Sequence, residues 1–192
     1  MIQWEVYKNL QKFIVEYRKW EVVGSFLDEG KFTEKILHDD LVKIFCIDKN
    51  NKNVELVLLN KDNEAASKTD NFRTLMKKVK SDIVIIISYN NISTQIKSKF
   101  KEFDTEIINY SYNLFKIEIP KGPYCFPHRI LSEEEVSQLL EFCKKERNGF
   151  PKCKHSDPQI IWIGGKPGDL IEITSDNPNT GTELRYRIVT KD

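Results

Sequence analysis

The strongest constraint on the fold lies near the C-terminus, where helix and turn signals follow one another closely. Asp157-Pro158 predicts the start of a helix, because an aspartate side chain accepts hydrogen bonds from the free amides of the first turn and proline at the first helical position loses no hydrogen bond. The short helix from Gln159 to Ile163 is expected to end at Gly164-Gly165. The segment therefore has little freedom in where its helix begins and ends.

A turn and a β-hairpin are predicted after this helix. Lys166-Pro167-Gly168-Asp169 is typical of a type II turn, because proline presets φ at the second position and glycine tolerates the positive φ of the third. Strands are expected at Leu170 to Thr174 and at Leu184 to Val189, with a loop from Ser175 to Gly181 between them. The chain is thus predicted to end as a helical turn that leads into a hairpin.

This order of signals resembles the C-terminal assembly domain of the archaeal RNA polymerase subunit that is the counterpart of the fifth subunit shared by the eukaryotic nuclear polymerases. The positions that match that family's pattern are Pro151, Ser156, Asp157, Pro158, Gly164, Gly168, Gly181, Tyr186, Arg187 and Val189. Upstream, His128 and the segment Leu131 to Glu135 lie where the family has a histidine and the start of a helix. The resemblance implies that His128 and the matching positions up to Arg187 belong to a polymerase-assembly surface.

The resemblance extends more weakly toward the N-terminus. Trp4 to Tyr17, Ile83 to Ser88 and Leu114 to Ile119 occur in the order of the N-terminal jaw domain that eukaryotic members have and archaeal members lack. The run Ile161 to Asp169 is more similar to members encoded by large cytoplasmic DNA viruses, which makes a viral source a hypothesis. The hairpin loop Ser175 to Asn179 departs from the usual Arg-Pro-Ser-Glu-Thr, so a contact made by that arginine is not expected here.

The resemblance implies a non-catalytic subunit of a multisubunit DNA-directed RNA polymerase. Its C-terminal domain would anchor to the largest subunit, and its N-terminal domain would flank the downstream DNA. The expected partners are the largest subunit, the rest of the polymerase and downstream duplex DNA, held weakly and without sequence specificity. No cofactor, metal or membrane is expected. The expected location is intracellular, in the virion and host cytoplasm for a viral protein or the nucleus for a cellular eukaryotic one.

Residue patterns predict an α+β fold with a mixed-sheet α/β domain before the assembly domain. Apolar residues spaced by three and four predict a helix from Trp4 to Trp20, and Asp28 is a candidate cap for a second helix through His38. Leu41 to Ile47 and Val54 to Leu59 are expected to form a hairpin. The continuous apolar run Ile83 to Ser88 is typical of a central parallel strand.

The remaining elements divide the chain into two predicted domains, residues 1–121 and 122–192. A strand at Glu106 to Tyr110 would complete a right-handed βαβ unit, and Ser132 with Glu135 predicts a capping box for a helix through Glu146, with Gly149 past its end. The segment Pro120 to Pro123 is the best candidate for a linker between the two domains. Further helices are expected at Asn71 to Val79 and Thr94 to Phe103, and a further strand at Leu114 to Ile119.

Positive charge is concentrated in one window although the net charge is only +1. Residues 68 to 101 contain eight Lys or Arg residues and two acidic ones, an excess of 8 − 2 = +6. The candidate DNA-facing residues in it are Arg73, Lys77, Lys78, Lys80 and Lys97. They would contact phosphates without reading bases, whereas the alternative is a solvated helix face.

Two other kinds of site, a nuclease active site and a zinc site, are alternatives to the subunit interpretation. A small stand-alone metal-dependent nuclease, or another nucleic-acid enzyme, would need carboxylates and a lysine beside a central strand, and Glu29-Gly30-Lys31 lies instead at a helix start. A zinc site would need paired ligands, but Cys125, Cys143 and Cys153 with their neighbouring histidines are irregularly spaced. We therefore expect no catalytic residues and four free thiols, with Cys153 the most exposed and reactive because Lys152 and Lys154 flank it.

Overall fold

The computed structural model describes residues 2–39, 41–60, 79–89, 92, 103–177 and 181–191. The chain forms two compact units, Met1–Ile117 and Glu118–Asp192. This division lies just before the segment Pro120 to Pro123, which was the predicted linker. Each unit contains helices and a sheet of mixed strand direction, so the predicted α+β class is confirmed.

Two helices open the N-terminal unit. Helix α1 spans Ile2–Lys12 and continues as a wider π-helical turn over Phe13–Tyr17, which confirms the predicted first helix. Helix α2 spans Glu29–Asp39, and the side chain of Asp28 accepts a hydrogen bond from the Lys31 amide at 2.9 Å. The predicted cap of the second helix is therefore present.

A five-stranded sheet forms the centre of this unit. Its strands are β1 (Glu21–Val23), β2 (Leu41–Ile47), β3 (Asn53–Leu59), β4 (Ile83–Ser88) and β5 (Glu106–Ser111), in spatial order β1-β2-β3-β4-β5. The first three pair antiparallel, whereas β4 is parallel to both of its neighbours. The predicted hairpin and central parallel strand are confirmed.

Two side-chain amides connect distant parts of the N-terminal unit. Asn109 on β5 donates to the carbonyl of Ile86 at 3.1 Å and accepts from the amide of Ile92 at 3.1 Å, so it holds the chain that leaves β4. The buried Asn9 of α1 donates to the carbonyl of Phe115 at 2.9 Å. Because an unsatisfied buried amide is costly, both bonds help to define the fold.

The predicted strand at Leu114 to Ile119 is wrong. A 3₁₀ helix spans Tyr112–Phe115, and the Ser111 side chain begins it by accepting from the Asn113 amide at 3.3 Å. Tyr112 and Phe115 are both buried, which suits the three-residue repeat of a 3₁₀ helix, whereas a strand would place them on opposite faces. A second 3₁₀ turn, Ile119–Lys121, starts the next unit with Pro120 in its first turn.

The helices predicted at Asn71 to Val79 and Thr94 to Phe103 lie outside the described residues, apart from their last positions. Val79 and Phe103 are partly buried against a cluster that includes Val57 of β3 and Ile86 of β4. These contacts lie on one face of the five-stranded sheet.

The C-terminal unit is built around a second sheet. It contains β6 (His128–Ile130), α3 (Glu133–Cys143), β7 (Lys152–Lys154), α4 (Pro158–Ile163), β8 (Leu170–Asn177) and β9 (Gly181–Thr190). The spatial order is β6-β8-β9-β7, with β8 and β9 antiparallel and β7 parallel to β9. The hairpin is confirmed, but its strands are longer than predicted because pairing continues to Asn177 and Gly181.

Helices α3 and α4 cover opposite faces of this second sheet. Leu170 and Ile188 pack in a cluster with Val136 of α3, whereas Ile171 and Val189 pack in a cluster with Ile160 of α4. This separation follows from the strand geometry, because successive side chains of a strand point to opposite faces. The sheet thus forms the middle layer of the unit.

Helix α3 begins as predicted but ends earlier. Ser132 accepts from the Glu135 amide at 3.2 Å and Glu135 accepts from the Ser132 amide at 2.8 Å, which is the predicted capping box. The helix stops at Cys143 because Lys144 adopts a left-handed conformation with φ of +49°. The predicted end near Glu146 is therefore wrong, and Gly149 lies in a separate 3₁₀ turn.

Removing the cap of α3 should destabilise the C-terminal unit. Ser132→Ala deletes the acceptor for the Glu135 amide, and we expect it to lower the free energy of unfolding by about 1 kcal/mol. Urea denaturation of the full chain would measure this, with Ser137→Ala as a control because Ser137 lies exposed in the second turn of the same helix. Equal stability of the Ser132 variant and wild type would contradict the prediction.

Candidate functional site

Helix α4 is held at both ends by the residues that the sequence singled out. The Asp157 side chain accepts from the Gln159 amide at 2.9 Å, and Pro158 occupies the first helical turn. Gly164 ends the helix with φ of +81°, and its amide donates to the carbonyl of Ile160 at 3.0 Å. Both predicted helix boundaries are confirmed.

Gly165 has a packing role that the sequence did not predict. A Cβ atom at this position would lie only 2.8 Å from the Cγ2 of Ile160, and close to the side chains of Ile171 and Val189. Only glycine lets the chain that leaves α4 pass this close to the Ile160 side chain of the same helix. The sequence signal was the pair Gly164-Gly165, which predicted a helix end but not this contact.

The turn after α4 is attached to the last strand of the sheet. It is closed by the amide of Asp169, which donates to the carbonyl of Lys166 at 3.0 Å, and Gly168 has φ of +99° as a type II turn requires. Gly168 donates to the carbonyl of Val189, and Val189 donates to that of Asp169, both at 2.9 Å. Arg147 also donates to the Gly168 carbonyl at 3.2 Å. The turn is therefore fixed on β9.

The segment before α4 lies along the same end of β9. The carbonyl of Pro151 accepts from the Ile188 amide, and the amide of His155 donates to the carbonyl of Thr190, both at 2.9 Å. Pro151 and the neighbouring Ser156 are exposed. The segment is thus held by its backbone while its side chains stay accessible.

Tyr186 and Arg187 are successive residues of β9 and point to opposite faces of the sheet. The Tyr186 hydroxyl donates to a Glu172 carboxylate oxygen at 3.4 Å, and its ring packs edge-on against Phe150 at a centroid distance of 6.4 Å. Arg187 is exposed on the face that α4 partly covers. Tyr186 is therefore partly structural, whereas Arg187 is available to a partner.

Most of the predicted assembly residues form one cluster, Gly181 lies apart from it, and His128 lies on β6, which packs against α4. The cluster surrounds the C-terminal end of β9 and consists of Pro151, Ser156, Asp157, Pro158, Gly164, Gly168, Tyr186 and Arg187. Gly181 begins β9 with φ of +76°, so it lies at the far end of that strand. His128 lies on β6, with β8 between it and β9, and its Nδ1 is 2.7 Å from the carbonyl oxygen of Phe126.

An ion-pair network that was not predicted connects β6, β8 and α3. Arg129 on β6 contacts Glu135 at 2.6 Å and Glu172 at 2.8 Å. The Ser132 backbone amide and the Arg129 guanidinium together hold the pKa of Glu135 below its usual value. Arg129 is exposed whereas Glu172 is mostly buried, so the network orients β6, β8 and α3 relative to one another.

The expected reactivity of Cys153 is wrong, whereas its rank as the most exposed thiol stays a prediction, since Cys125, Cys143 and Cys153 are all partly exposed. Its side chain is only partly exposed and its sulfur lies 3.5 Å from the Ile188 carbonyl oxygen, to which the thiol donates. Burial raises the pKa of the Cys153 thiol, and the charge of Asp157 raises it further. The flanking lysines therefore do not make it a reactive thiolate. Burial also raises the pKa of Cys46 to about 12.

The candidate DNA-facing residues are only partly covered by the structure. Lys80 is exposed, whereas Arg73, Lys77, Lys78 and Lys97 lie outside the described residues. Among the residues that are described, no three His, Cys, Asp or Glu side chains come close enough to hold a metal ion. None of the described helices is both long and apolar enough to cross a membrane.

Comparison with known proteins points to one family. Residues 117–189 match the family model described as "RNA polymerase Rpb5, C-terminal domain". A "DNA-directed RNA polymerase RPB5 homolog" of African swine fever virus (strain Badajoz 1971 Vero-adapted) is 25% identical over 203 residues, which cover 100% of this chain and 98% of the relative.

Archaeal relatives match a smaller share of the chain at higher identity. The "DNA-directed RNA polymerase subunit Rpo5" of Thermococcus kodakarensis is 45% identical over 65 residues, 34% of this chain and 79% of the relative. The protein of the same name from Pyrococcus abyssi is 42% identical over 82 residues, 42% of this chain and 93% of the relative.

The close approach at Gly165 gives a stability prediction. Gly165→Ala should lower the free energy of unfolding by about 1–3 kcal/mol, because the added methyl group would overlap with Ile160. Gly149→Ala is the matched control, since its Cβ would meet only the Lys145 side chain at 3.8 Å. Thermal unfolding of both full-length variants measures the difference, and equal midpoints would refute the packing argument.

Proposed function

The chain belongs to the Rpb5 family of DNA-directed RNA polymerase subunits, and we propose that it anchors to the largest subunit through its C-terminal unit and flanks downstream DNA with its N-terminal unit. One observation carries the assignment of the anchoring role. The family match, residues 117–189, coincides with the compact unit Glu118–Asp192. The part of the chain that is shared with the archaeal subunits is therefore a structural module.

The cluster at the C-terminal end of β9 is the best candidate for the anchoring surface. Exposed side chains such as Pro151, Asp157 and Arg187 sit on a backbone that is held by hydrogen bonds from α4, the following turn and β9. A surface that is already ordered loses little conformational entropy on binding. Gly181 lies at the far end of β9 and would contribute to a separate contact, whereas His128 lies on β6, which packs against α4.

The N-terminal unit would have a second role, which is contact with downstream DNA. The archaeal relatives match 34% and 42% of this chain, whereas the viral relatives cover all of it. The N-terminal unit would therefore have a role beyond the assembly role that the archaeal subunits share. Its basic window, in which Lys80 is exposed, suits weak electrostatic contact with duplex phosphates.

The chain is proposed to carry no catalytic residue of its own. Nucleotidyl transfer would then belong to other subunits of the polymerase. The nuclease alternative gains no support, since Glu29, Gly30 and Lys31 lie in the first turn of α2 and the relatives are polymerase subunits.

The relatives also bear on where the protein works. The viral and archaeal relatives are RNA polymerase subunits, which implies an intracellular location. The relatives that cover the whole chain come from a virus, and this favours the virion and host cytoplasm over the nucleus of a eukaryotic cell.

Assembly should depend on the C-terminal unit. A fragment of residues 118–192 is expected to copurify with the largest subunit on coexpression. In the full chain, Asp157→Ala combined with Gly168→Val should weaken copurification, because it removes a cap of about 1 kcal/mol and forces valine into a positive φ. Gln138→Ala, an exposed change on α3, is the control. Normal incorporation of the double variant would count against this surface.

Contact with DNA should be electrostatic. Replacing Lys77, Lys78 and Lys80 with Glu should reduce retention of downstream duplex by the assembled polymerase at low salt. The deficit should shrink as salt rises, because screening weakens the wild-type contact as well. An equal change of charge at the exposed Lys35, Lys49 and Lys116 is the control. A defect that does not vary with salt would contradict the proposal.

A further inference from the structure

The two sides of β9 are paired unequally. On one side β8 pairs with it from Leu170 opposite Ile188 to Asn177 opposite Gly181. On the other side β7 pairs with it only from Ile188 to Thr190. Among the described residues, the stretch of β9 from Gly181 to Arg187 therefore has a sheet partner on one side only.

The backbone groups of three residues point out of this open side. The Ile188 amide donates toward β7, to Pro151, whereas the Val189 amide donates toward β8, to Asp169. Because successive residues of a strand direct their N–H and C=O groups to alternate sides, those of Thr182, Leu184 and Tyr186 face away from β8. Within the described residues, no backbone group pairs with them. They form a template for another strand.

The other two edges of this sheet are protected against such pairing. Strand β6 has three residues and follows Pro127, which has no N–H group to donate. Strand β7 also has three residues, and the exposed Lys152 and Lys154 flank its centre. Short strands, proline and lysine are the usual means by which proteins blunt sheet edges. The edge of β9 is longer and lacks both proline and lysine.

The same end of the hairpin lacks support from the rest of the sheet. Beyond Thr174, whose amide donates to the Pro127 carbonyl at 3.1 Å, β8 and β9 pair only with each other within the part of the chain that the structure describes. A ribbon of two strands is marginally stable in water, and a third strand stabilises it. Strand addition would therefore stabilise this part of the hairpin.

The side chains along the open edge indicate what kind of strand would fit. Leu184 is 50% exposed and points to one face. Arg187 is exposed and points to the other, and no described carboxylate lies within ion-pair distance of it. By contrast, Arg185 is paired with Glu183 at 2.8 Å. The edge thus offers one unneutralised positive charge and one apolar side chain on opposite faces.

We propose that the β9 edge from Thr182 to Tyr186 accepts an extended segment of another polymerase subunit as an additional strand. The segment would place an apolar side chain opposite Leu184 and, where it ends beside Pro151, a carboxylate within reach of the Arg187 side chain. Leu184 and Arg187 point to opposite faces of β9, so these two side chains of the added strand would also lie on opposite faces. Backbone hydrogen bonds supply affinity and the alternating side chains supply specificity. The inference rests on the proposed role as a polymerase subunit.

Hydrogen exchange at single residues tests the proposal in the full chain, free and in the purified polymerase. The amides of Thr182, Leu184 and Tyr186 should exchange at least about tenfold more slowly in the polymerase, because each gains a hydrogen-bond acceptor. The amides of Glu183 and Arg185 are the internal control, since β8 bonds them in both states.

The outcomes separate this proposal from the proposed function. A chain that does not copurify with polymerase overturns both. A chain that copurifies but shows unchanged exchange at the three amides overturns strand addition alone. Protection that is already present in the free chain, and is lost on dilution, assigns the edge to a second copy of the chain and also overturns the proposal.

Two pairs of variants give an independent test by coexpression with the other polymerase subunits. Arg187→Glu should lower incorporation about tenfold, whereas Lys152→Glu, the same charge change on the opposite face, should not. Leu184→Pro removes one outward N–H group and should lower incorporation far more than Leu184→Val, which retains it. Equal incorporation of Arg187→Glu and Lys152→Glu overturns the proposal even if the proline variant fails to fold.

Discussion

The register between β8 and β9 is the constraint on which the rest of the C-terminal unit depends. Pairing Leu170 with Ile188 places both side chains toward α3, and pairing Ile171 with Arg187 leaves Ile171 to pack with α4. A slip of one residue would exchange the two faces of the shifted strand. The packing of both helices, and the exposure of Arg187, follow from this single alignment.

The division of the chain into two units gives its relationships to other proteins a structural basis. The C-terminal unit coincides with the region that the archaeal and viral relatives share. The N-terminal unit has its own five-stranded sheet, and the viral relatives span it as well. Assembly and DNA contact, as proposed here, would then reside in separate units that can vary independently.

Features that depend on a few neighbouring residues could be predicted from the sequence. The cap at Asp157, the positive φ of Gly168 and the capping box of Ser132 are of this kind. Features that depend on distant partners could not. The three-residue strands β6 and β7 exist only through pairing with β8 and β9. For the same reason the family pattern could not show that Gly181 lies at the far end of β9 from the other candidate residues. The requirement for glycine at position 165 is local, but it depends on where the Ile160 side chain points, which the sequence does not show.

The hydrogen bond from Asn9 to Phe115 affects when the N-terminal unit can finish folding during translation. The bond joins residues 106 positions apart in the chain. The parallel pairing of β4 with β5 also requires residues near the end of the unit, because β5 is its last strand. Contacts between residues so far apart in the chain slow folding, because loop-closure entropy is lost before they form. Helix α1 leaves the ribosome long before Phe115, so its buried Asn9 amide finds its acceptor only after Phe115 has been synthesised. The nascent N-terminal unit therefore stays incomplete for most of its translation, while the C-terminal hairpin can close soon after its residues emerge.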